Sequence, residues 1–257
     1  MISFNSRQSL PENWPVYFAH RGASTLAPEN SLAAFALAKK LGCRGIEFDV
    51  HLCKSGELVV THDHFLDRIA GIHSRIEELS LAELSEVDIG SHFNKKFPDN
   101  ADPGFSGERI PTLDMLFDTV GEDMCMDIEL KMDRICGDSL ARAVAAFLKK
   151  RNKKNCIISS FHPLVLRSYK KYGSHKTAAI YCPYDSVPYF MRHRECLYLS
   201  GADIKKPALE TARGSQKAET GEKPVIVWTV DSGEDAENLL SKGVSSIITN
   251  RIQDFPL

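Results

Sequence analysis

Residues 31–50, SLAAFALAKKLGCRGIEFDV, contain a predicted helix followed directly by a predicted strand. Apolar residues recur at positions i, i+3, i+4 and i+7 over residues 31–41, which is the spacing of one buried helix face. Asn30 or Ser31 can cap this helix, and Gly42 can end it. In residues 45–50, large apolar side chains alternate with carboxylates, which is typical of a strand.

The rest of the chain repeats this alternation of short apolar runs with longer amphipathic stretches. Strands alternating with helices indicate a parallel sheet, and about eight such units in 257 residues predict closure into a barrel. We therefore predict the α/β class and a (β/α)8 TIM barrel, with residues 1–257 as a single domain. The other predicted strands are residues 16–19, 58–61, 124–130, 156–160, 178–181, 197–199, 225–230 and 246–249, and the other predicted helices are residues 139–150, 163–171 and 234–242.

Residues 65–109 interrupt the alternation with clusters of Ser, Gly, Asn and Pro. Long irregular segments within compact domains are usually functional, so we predict an inserted subdomain or lid after the second strand region. A turn at residues 54–56 precedes it and joins two strands as a hairpin. The charged stretch 205–223 predicts a surface helix and loop.

The composition is that of an ordinary globular domain, with 43% hydrophobic residues, 26% charged residues and a formal net charge of −2. Because no face-wide basic block occurs, we expect no nucleic-acid partner. The seven cysteines are odd in number and form no CxxC pair, which favours reduced thiols and a cytoplasmic protein. No secretory signal is evident and no apolar run reaches the ~20 residues of a membrane span. The sequence leaves open whether the chain forms a homo-oligomer.

Acidic residues on two predicted strands form a candidate metal site. Glu47 and Asp49 are two positions apart and so point to the same face of their strand. Neighbouring carboxylates in a buried strand repel unless a cation lies between them, and Glu129 offers a third carboxylate from a later strand. Carboxylate oxygens suit hard cations, which predicts one divalent ion, Mg²⁺ or Ca²⁺, with positions open to a phosphate oxygen.

Two histidines and two cationic residues lie at predicted strand ends. His20 and His62 suit proton transfer near neutral pH, and Arg21 and Lys131 can contact phosphate oxygens. The carboxyl ends of barrel strands meet at one face, so we expect these side chains to lie near the carboxylates. Together they favour cleavage of a phosphodiester.

A series of short motifs also follows one another along nearly the whole chain. They are His20-Arg21-Gly22-Ala23, Pro28-Glu29-Asn30-Ser31, Glu47-Phe48-Asp49-Val50, His62-Asp63, Ile110-Pro111-Thr112-Leu113, Glu129-Leu130-Lys131, Ser160-Phe161-His162, Trp228-Thr229-Val230 and Ile248-Thr249-Asn250. This ordered set resembles the glycerophosphodiester phosphodiesterase family, although Asn250 stands where many members carry Asp.

The resemblance implies an enzyme that hydrolyses glycerophosphodiesters to glycerol 3-phosphate and an alcohol such as choline or ethanolamine. It implies that a free hydroxyl beside the phosphodiester attacks phosphorus and that water then opens the cyclic phosphate. The implied metal ligands are Glu47, Asp49 and Glu129, the implied general acid and base are His20 and His62, and the implied phosphate contacts are Arg21 and Lys131.

Several neighbouring residues are expected to support these groups. Asp63 can orient His62, and the pair Glu29 and Asn30 can start the first helix and so fix the loop after His20. Trp228 is expected to form a pocket wall near the glycerol moiety. His51, on the same face as the two strand carboxylates, is expected behind the ligands or at the rim, and most other histidines are expected in solvated loops.

Two other functions remain open at this point. Lysophospholipase D-like cleavage of lysophospholipids would need an apolar groove, from residues 65–105 or from Tyr181, Tyr184, Tyr189 and Phe190. A non-catalytic protein that binds glycerol phosphate is the weaker alternative, because such a protein needs phosphate contacts but not two proton carriers.

Overall fold

Eight parallel strands form the centre of the molecule. The structure is a computed structural model, and it describes residues 10–11, 13–132, 138–185, 188, 192, 195–214 and 223–257. The strands are β1 (Tyr17–His20), β2 (Gly45–Leu52), β3 (Leu58–Val60), β4 (Cys125–Leu130), β5 (Cys156–Ser160), β6 (Thr177–Tyr181), β7 (Ile204–Pro207), β8 (Ile226–Val227) and β9 (Ser246–Thr249). β3 pairs with β2 and is antiparallel to it, as the predicted hairpin requires, and the other strands follow the order β7-β6-β5-β4-β2-β1-β9-β8. Parallel bridges from Lys205 to Val225 and from Ala208 to Trp228 link the two ends, so the predicted TIM barrel is confirmed.

Helices surround this barrel and cover the outer faces of its strands. They are α1 (Leu32–Lys40), α2 (Asp67–Ala70), α3 (Leu81–Leu84), α4 (Gly90–Lys96), α5 (Leu113–Val120), α6 (Ser139–Lys150), α7 (Pro163–Tyr172), α8 (Glu195–Ser200), α9 (Leu209–Arg213) and α10 (Gly233–Ser241). Ser31 caps α1, since its hydroxyl accepts a hydrogen bond from the Ala34 N–H at 3.1 Å. Among the described residues, no helix combines the length and hydrophobicity needed to cross a lipid bilayer.

The interior of the barrel is divided into an apolar layer and a polar layer. One buried cluster joins side chains from seven strands, namely Phe18, Cys125, Ile157, Ala178, Ile204, Ile226 and Ile248. Strand side chains alternate between faces, so residues two positions further along also point inward, nearer the carboxyl ends. Those residues are His20, Asp127, Ser159, Ile180, Lys206, Trp228 and Asn250. Polar groups therefore lie directly above the buried apolar cluster, which we call the apolar plug.

β2 contributes no side chain to the apolar plug, because its residue there is Gly45. A Cβ atom at this position would lie 2.8 Å from Cδ1 of Phe18 and 2.7 Å from Cγ of Pro15, closer than packed carbon atoms approach. The glycine therefore leaves room for the Phe18 ring. Glu47 and Asp49 follow as the next inward-facing residues of the strand.

Residues 65–109 form short helices instead of a strand and a long helix. Besides α2, α3 and α4, they contain 3-10 turns at Ile76–Glu78, Pro98–Asn100 and Pro103–Gly107. Their apolar side chains pack against the β2–β3 hairpin in a separate cluster of Cys53, Val59, Leu66, Ile76, Leu84, Val87, Ile89 and Ile110. Asn100 also donates a hydrogen bond to the carbonyl of Thr25, so the segment contacts the rim of the barrel.

The structure corrects two predictions between residues 197 and 223. Residues 197–199 are not a strand but part of α8, in which Leu197 is buried while Tyr198 and Leu199 are exposed. The barrel strand is instead β7, which overlaps the start of the stretch predicted as a surface helix and loop. Its two lysines resemble a solvated surface, but Lys206 is only 1% exposed. Residues 209–213 are helical as expected, whereas residues 215–222 lie outside the described part.

Candidate active site

Three carboxylates converge at the carboxyl ends of β2 and β4. Glu47 and Asp49 project from β2, and Glu129 is the register partner of Asp49 on β4. One oxygen atom from each of the three side chains lies within 4.8 Å of the others. All three residues are buried. We call Glu47, Asp49 and Glu129 the three-carboxyl group.

The surroundings of the three-carboxyl group fit a divalent cation. Oε2 of Glu47 is buried and accepts no hydrogen bond within the described part of the chain. Burial, with the charges of neighbouring carboxylates, raises the pKa of Glu47 to about 8 despite the opposing charge of Lys206. An ionised carboxylate at this position therefore needs a further positive charge, and oxygen ligands of this kind suit Mg²⁺ or Ca²⁺.

Asp49 is held ionised by the residues around it. Burial raises its pKa, but Lys131, His62, Arg21 and a hydrogen bond from Asn30 together lower the pKa of Asp49 far below its usual value. Nζ of Lys131 lies 3.4 Å from Oδ1 of Asp49 and donates to Oε1 of Glu129 at 2.8 Å. Lys131 therefore lies against the carboxylates, within reach of any group bound there.

Asn30 has a different role from the helix start that its position indicated. Its side-chain Nδ2 donates to Oδ2 of Asp49 at 2.9 Å, and its backbone has a φ of 57° in the left-handed region, which asparagine tolerates. Ser31 caps the helix instead. Asn30 thus orients one of the three carboxylates.

His20 lies at the end of β1 with its ring orientation fixed from both sides. Its Nδ1 is 2.6 Å from Oδ1 of Asn250, and its Nε2 is 3.7 Å from Oε2 of Glu47. The amide of Asn250 is oriented in turn, because its Nδ2 donates to Oδ2 of Asp231 at 2.8 Å. Asn250 therefore presents an oxygen acceptor, which assigns the proton to Nδ1 of His20. Burial, together with the charge of Arg21, lowers the pKa of His20 to about 3.

His62 lies after the β2–β3 hairpin and is more exposed than His20. Its Nδ1 donates to Oδ1 of Asp63 at 2.6 Å, so Asp63 orients the ring as the sequence indicated. Asp63 is held by Arg68, whose Nε donates to Oδ2 at 2.6 Å. The two histidines are thus matched in geometry, each with Nε2 facing away from its orienting acceptor.

The loop after His20 is a tight turn that aims Arg21 at the carboxylates. Arg21 has a φ of 59° and Gly22 a φ of 81°. A Cβ atom on Gly22 would lie 2.7 Å from the carbonyl carbon of Ala34, so only glycine fits against α1. Nε of Arg21 is 3.5 Å from Oδ2 of Asp49, and its Nη1 donates to Oε1 of Glu29 at 2.9 Å.

Glu29 joins this loop to residues 65–109, which we call the inserted segment. It accepts hydrogen bonds from Arg21 and, at 2.7 Å to each carboxylate oxygen, from Arg68 of α2. Burial raises its pKa, but the bonds from Arg68 and the charge of Arg21 prevail and lower the pKa of Glu29 to about 2. Glu29 therefore braces Arg21 rather than starting the helix.

A cavity of about 660 Å³ opens beside the three-carboxyl group. His62, Glu129 and Lys131 line one side, and Phe65 and Phe161 are among the apolar residues of its wall. The ring of Trp228 packs edge-on against Phe161, with 5.5 Å between centroids, and its Nε1 donates to the carbonyl of Lys206 at 3.0 Å. Trp228 thus supports the wall from behind.

His51, which was expected behind the ligands or at the rim, and His64, which was expected in a solvated loop, form a cluster with Glu77. His51 is fully buried, and its Nδ1 lies 2.9 Å from Oε1 of Glu77. Nδ1 of His64 lies 2.5 Å from the same oxygen. Glu77 belongs to the inserted segment, and the sequence pattern gave no indication that this segment contacts β2.

The sequence reasoning also missed a charged pair inside the barrel. Lys206 of β7 forms an ion pair with Asp127 of β4, and Ser159 donates to Asp127 at 2.6 Å. Asp127 could have been found, because it lies two positions before Glu129 and so shares its face. Lys206 could not, because β7 itself was not predicted.

Comparison with known proteins decides what this arrangement belongs to. The model of the glycerophosphoryl diester phosphodiesterase family matches residues 20–254. The chain belongs to this family. A glycerophosphodiester phosphodiesterase of Caldanaerobacter subterraneus subsp. tengcongensis is 36% identical over 235 residues, which cover 90% of this chain and 92% of the relative.

Solved structures of glycerophosphodiester phosphodiesterases share the barrel. That of Thermotoga maritima superposes with a TM-score of 0.70 at 26% identity, covering 93% of this chain and 96% of the other. A phosphodiesterase of Oleispira antarctica, in complex with the product sn-glycerol-3-phosphate, gives a TM-score of 0.78 at 24% identity, covering 94% and 95%. Family membership confirms the predicted resemblance, and the protein is a hydrolase of the glycerophosphodiester phosphodiesterase class.

Proposed function

We propose that this chain hydrolyses soluble glycerophosphodiesters to glycerol 3-phosphate and an alcohol, using one divalent cation held by Glu47, Asp49 and Glu129. The observation that carries the proposal is the convergence of three buried carboxylates beside two oriented histidines. The glycerol phosphate bound by the Oleispira phosphodiesterase, which shares the fold, supports the same product here.

The cation is best assigned to Mg²⁺ or Ca²⁺, because all three ligands are carboxylates. When bound, it supplies positive charge for an oxygen of the phosphodiester. Arg21 and Lys131 contribute further positive charge from the same end of the barrel, and Asn30 keeps Asp49 oriented. Arg21 and Lys131 bind and position the phosphate group of the substrate.

His20 and His62 move the protons. Each ring carries its Nδ1 proton toward an acceptor, Asn250 in one case and Asp63 in the other, so each presents Nε2 to the substrate. One imidazole takes the proton of the glycerol hydroxyl next to phosphorus, and the other protonates the departing alcohol. With the roles reversed, the same pair activates the water that opens the cyclic phosphate.

Residues 65–109 serve, in this proposal, as an inserted subdomain that covers part of the site. They supply Phe65 to the cavity wall, and their Arg68 binds both Glu29 and Asp63. The insertion thereby connects the supports of Arg21 and His62. Phe161, backed by the ring of Trp228, adds apolar surface to the cavity that suits the carbon skeleton of glycerol.

Lysophospholipids are a second substrate class that the cavity favours. Its wall includes Phe65, Leu130, Met132 and Phe161, which offer apolar surface next to His62. Of the tyrosines expected to form an acyl groove, Tyr181 is fully buried and Tyr184 is exposed, whereas residues 189 and 190 lie outside the described part. An acyl chain would therefore bind against the phenylalanines.

We also propose that the protein acts in the cytoplasm. The described cysteines, Cys43, Cys53, Cys125, Cys156, Cys182 and Cys196, are all buried free thiols, as expected of a reducing compartment.

The test of the proposed function is turnover of glycerophosphocholine followed by measurement of glycerol 3-phosphate and choline. Activity should disappear after exhaustive treatment with EDTA and return with Ca²⁺ or Mg²⁺. Full activity in the chelated protein would contradict the metal site. Phosphorus NMR during turnover should show a transient cyclic phosphate.

A substrate panel separates the two substrate classes. Glycerophosphocholine and lysophosphatidylcholine share a head group and differ by one acyl chain. If Phe65→Ala lowers kcat/KM for the lysophospholipid alone, the apolar wall binds acyl chains. If the wild-type chain leaves lysophosphatidylcholine intact, the second class is excluded.

A further inference from the structure

His51, His64 and Glu77 form a second group of potential metal ligands, separate from the three-carboxyl group. His51 lies near the end of β2, His64 follows the hairpin, and Glu77 belongs to the inserted segment. One ligand atom from each lies within 4.8 Å of the others. The group therefore joins β2, the end of the hairpin and the inserted segment at one point.

The donor atoms suit a different kind of ion from the three-carboxyl group. Two imidazole nitrogens and one carboxylate oxygen are ligands that Zn²⁺ accepts, whereas Ca²⁺ and Mg²⁺ prefer oxygen alone. Both Nδ1 atoms already point at Oε1 of Glu77, at 2.9 and 2.5 Å. The two rings stand at 86° to each other, so both can approach one ion without overlapping.

The contacts of His51 fit a cation at its Nδ1. Its Nε2 lies 3.3 Å from the carbonyl oxygen of His62, while its Nδ1 faces Oε1 of Glu77. Both partners are acceptors, and a neutral imidazole has only one N–H to offer. An ion bound at Nδ1 leaves Nε2–H to donate to the carbonyl, which is the usual outer contact of a metal-bound histidine.

The outer contacts and the access to the group also fit an ion. Nε of Arg75 lies 3.0 Å from Oε2 of Glu77, which leaves Oε1 directed at the two imidazoles. His64 lines the cavity of about 660 Å³, so water can complete the coordination from that side. His51 is fully buried, which protects the group from the opposite side.

We propose that His51, His64 and Glu77 bind one Zn²⁺ ion, which ties the inserted segment to β2 and to the backbone of His62. Such an ion would lie between the Nδ1 atoms of the two imidazoles and Oε1 of Glu77. It fixes the position of the His62 segment, since His51 contacts that carbonyl and His64 is two residues away. The proposal does not depend on which diester is hydrolysed.

Zinc binding is tested on the full chain after removal of metals and addition of excess Ca²⁺, which favours filling of the three-carboxyl group. Equilibrium dialysis against Zn²⁺ then compares the wild type with His64→Asn and Glu77→Gln. His73→Asn is the matched control, because His73 lies in the same segment but is exposed and paired with Asp67. We expect each of the first two variants to bind one Zn²⁺ fewer per chain, and the control to match the wild type.

Equal zinc binding by all four proteins would overturn the proposal, leaving the group as hydrogen-bonded only. Circular dichroism in zinc-free buffer checks that each variant folds. If a variant does not fold, nitrogen NMR of the wild-type imidazoles decides, because Zn²⁺ should shift the Nδ1 signals of His51 and His64. Unchanged signals for these two histidines would equally rule out the site. Turnover is not part of this readout, so failure of the proposed hydrolysis would be seen separately.

Discussion

Nζ of Lys206 lies 2.9 Å from Oδ2 of Asp127, inside the barrel and between the apolar plug and the three-carboxyl group. The same ammonium group donates to Oγ of Ser159 at 3.0 Å and lies 3.5 Å from Oε1 of Glu47. Burial lowers the pKa of Lys206, but Asp127 and Glu47 prevail and raise the pKa above its usual value. A fully buried ion pair therefore supports one of the proposed metal ligands from below.

Removing one partner of this pair should destabilise the fold more than removing both. Lys206→Met leaves Asp127 buried without a counter-charge, which typically costs about 3–5 kcal/mol in the free energy of unfolding. The double variant with Asp127→Asn should recover part of this loss, as measured by urea denaturation. Lys171→Met, on the exposed part of α7, is the control. Strictly additive losses would show that the two side chains do not act as a pair.

Removal of either imidazole should abolish most of the turnover while leaving the fold intact. General acid–base groups commonly contribute about 10²–10⁴-fold, so we expect His20→Ala and His62→Ala each to lose at least this much in kcat. Steady-state assays on glycerophosphocholine measure the effect, with His73→Ala as an exposed control. A loss of only a few-fold in either variant would remove that histidine from the proton transfer.

The brace formed by Glu29 should stabilise the protein above acidic pH only. The pKa of Glu29 in the fold is about 2, below its ordinary value of 4.5. Its contribution to the free energy of unfolding is therefore complete above pH 4.5 and is lost as the pH falls toward 2. We expect Glu29→Gln to be less stable by about 2 kcal/mol at neutral pH. Urea unfolding at several pH values should show the difference between the two proteins shrinking below about pH 5. A difference that stays constant down to pH 3 would contradict the ion pairs.

Asn250 should affect turnover through the orientation of His20. Asn250→Ala removes the acceptor at Nδ1, and loss of such an outer contact commonly costs about 10–100-fold. Asn250→Asp keeps an oxygen acceptor and should retain most of kcat. Measuring kcat and KM separately distinguishes this from a general disturbance, because substrate binding should change little. Equal losses in both variants would show that the acceptor at Nδ1 is not what His20 needs.

Side-chain alternation was sufficient to predict the centre of the candidate site. Glu47 and Asp49 share a face because they are two positions apart, and parallel register brings Glu129 beside them. The same reasoning predicted the barrel, which the structure confirms, because few closed folds are built from regularly alternating strands and helices. Local pattern therefore predicted both the scaffold and its most polar point.

Contacts that depend on the inserted segment could not be predicted in this way. Glu77 reaches His51 and His64, and Arg68 reaches Glu29 and Asp63, across loops with no periodic pattern. β7 was missed for a different reason, since a lysine is almost never fully buried unless a carboxylate accompanies it. Here that carboxylate is Asp127, on a strand about eighty residues earlier.

The apolar plug of Phe18, Ile157, Ile204, Ile226 and their neighbours closes the lower end of the barrel to water. The proposed substrate, ion and products would then enter and leave at the carboxyl ends of the strands, where the described residues form the cavity beside Glu129 and Lys131. In the proposed reaction the alcohol is expelled in the first step, while Arg21 and Lys131 still face the phosphate. Glycerol 3-phosphate would be the last product to leave. On accumulating, it would slow the enzyme by competing with the substrate for the same site.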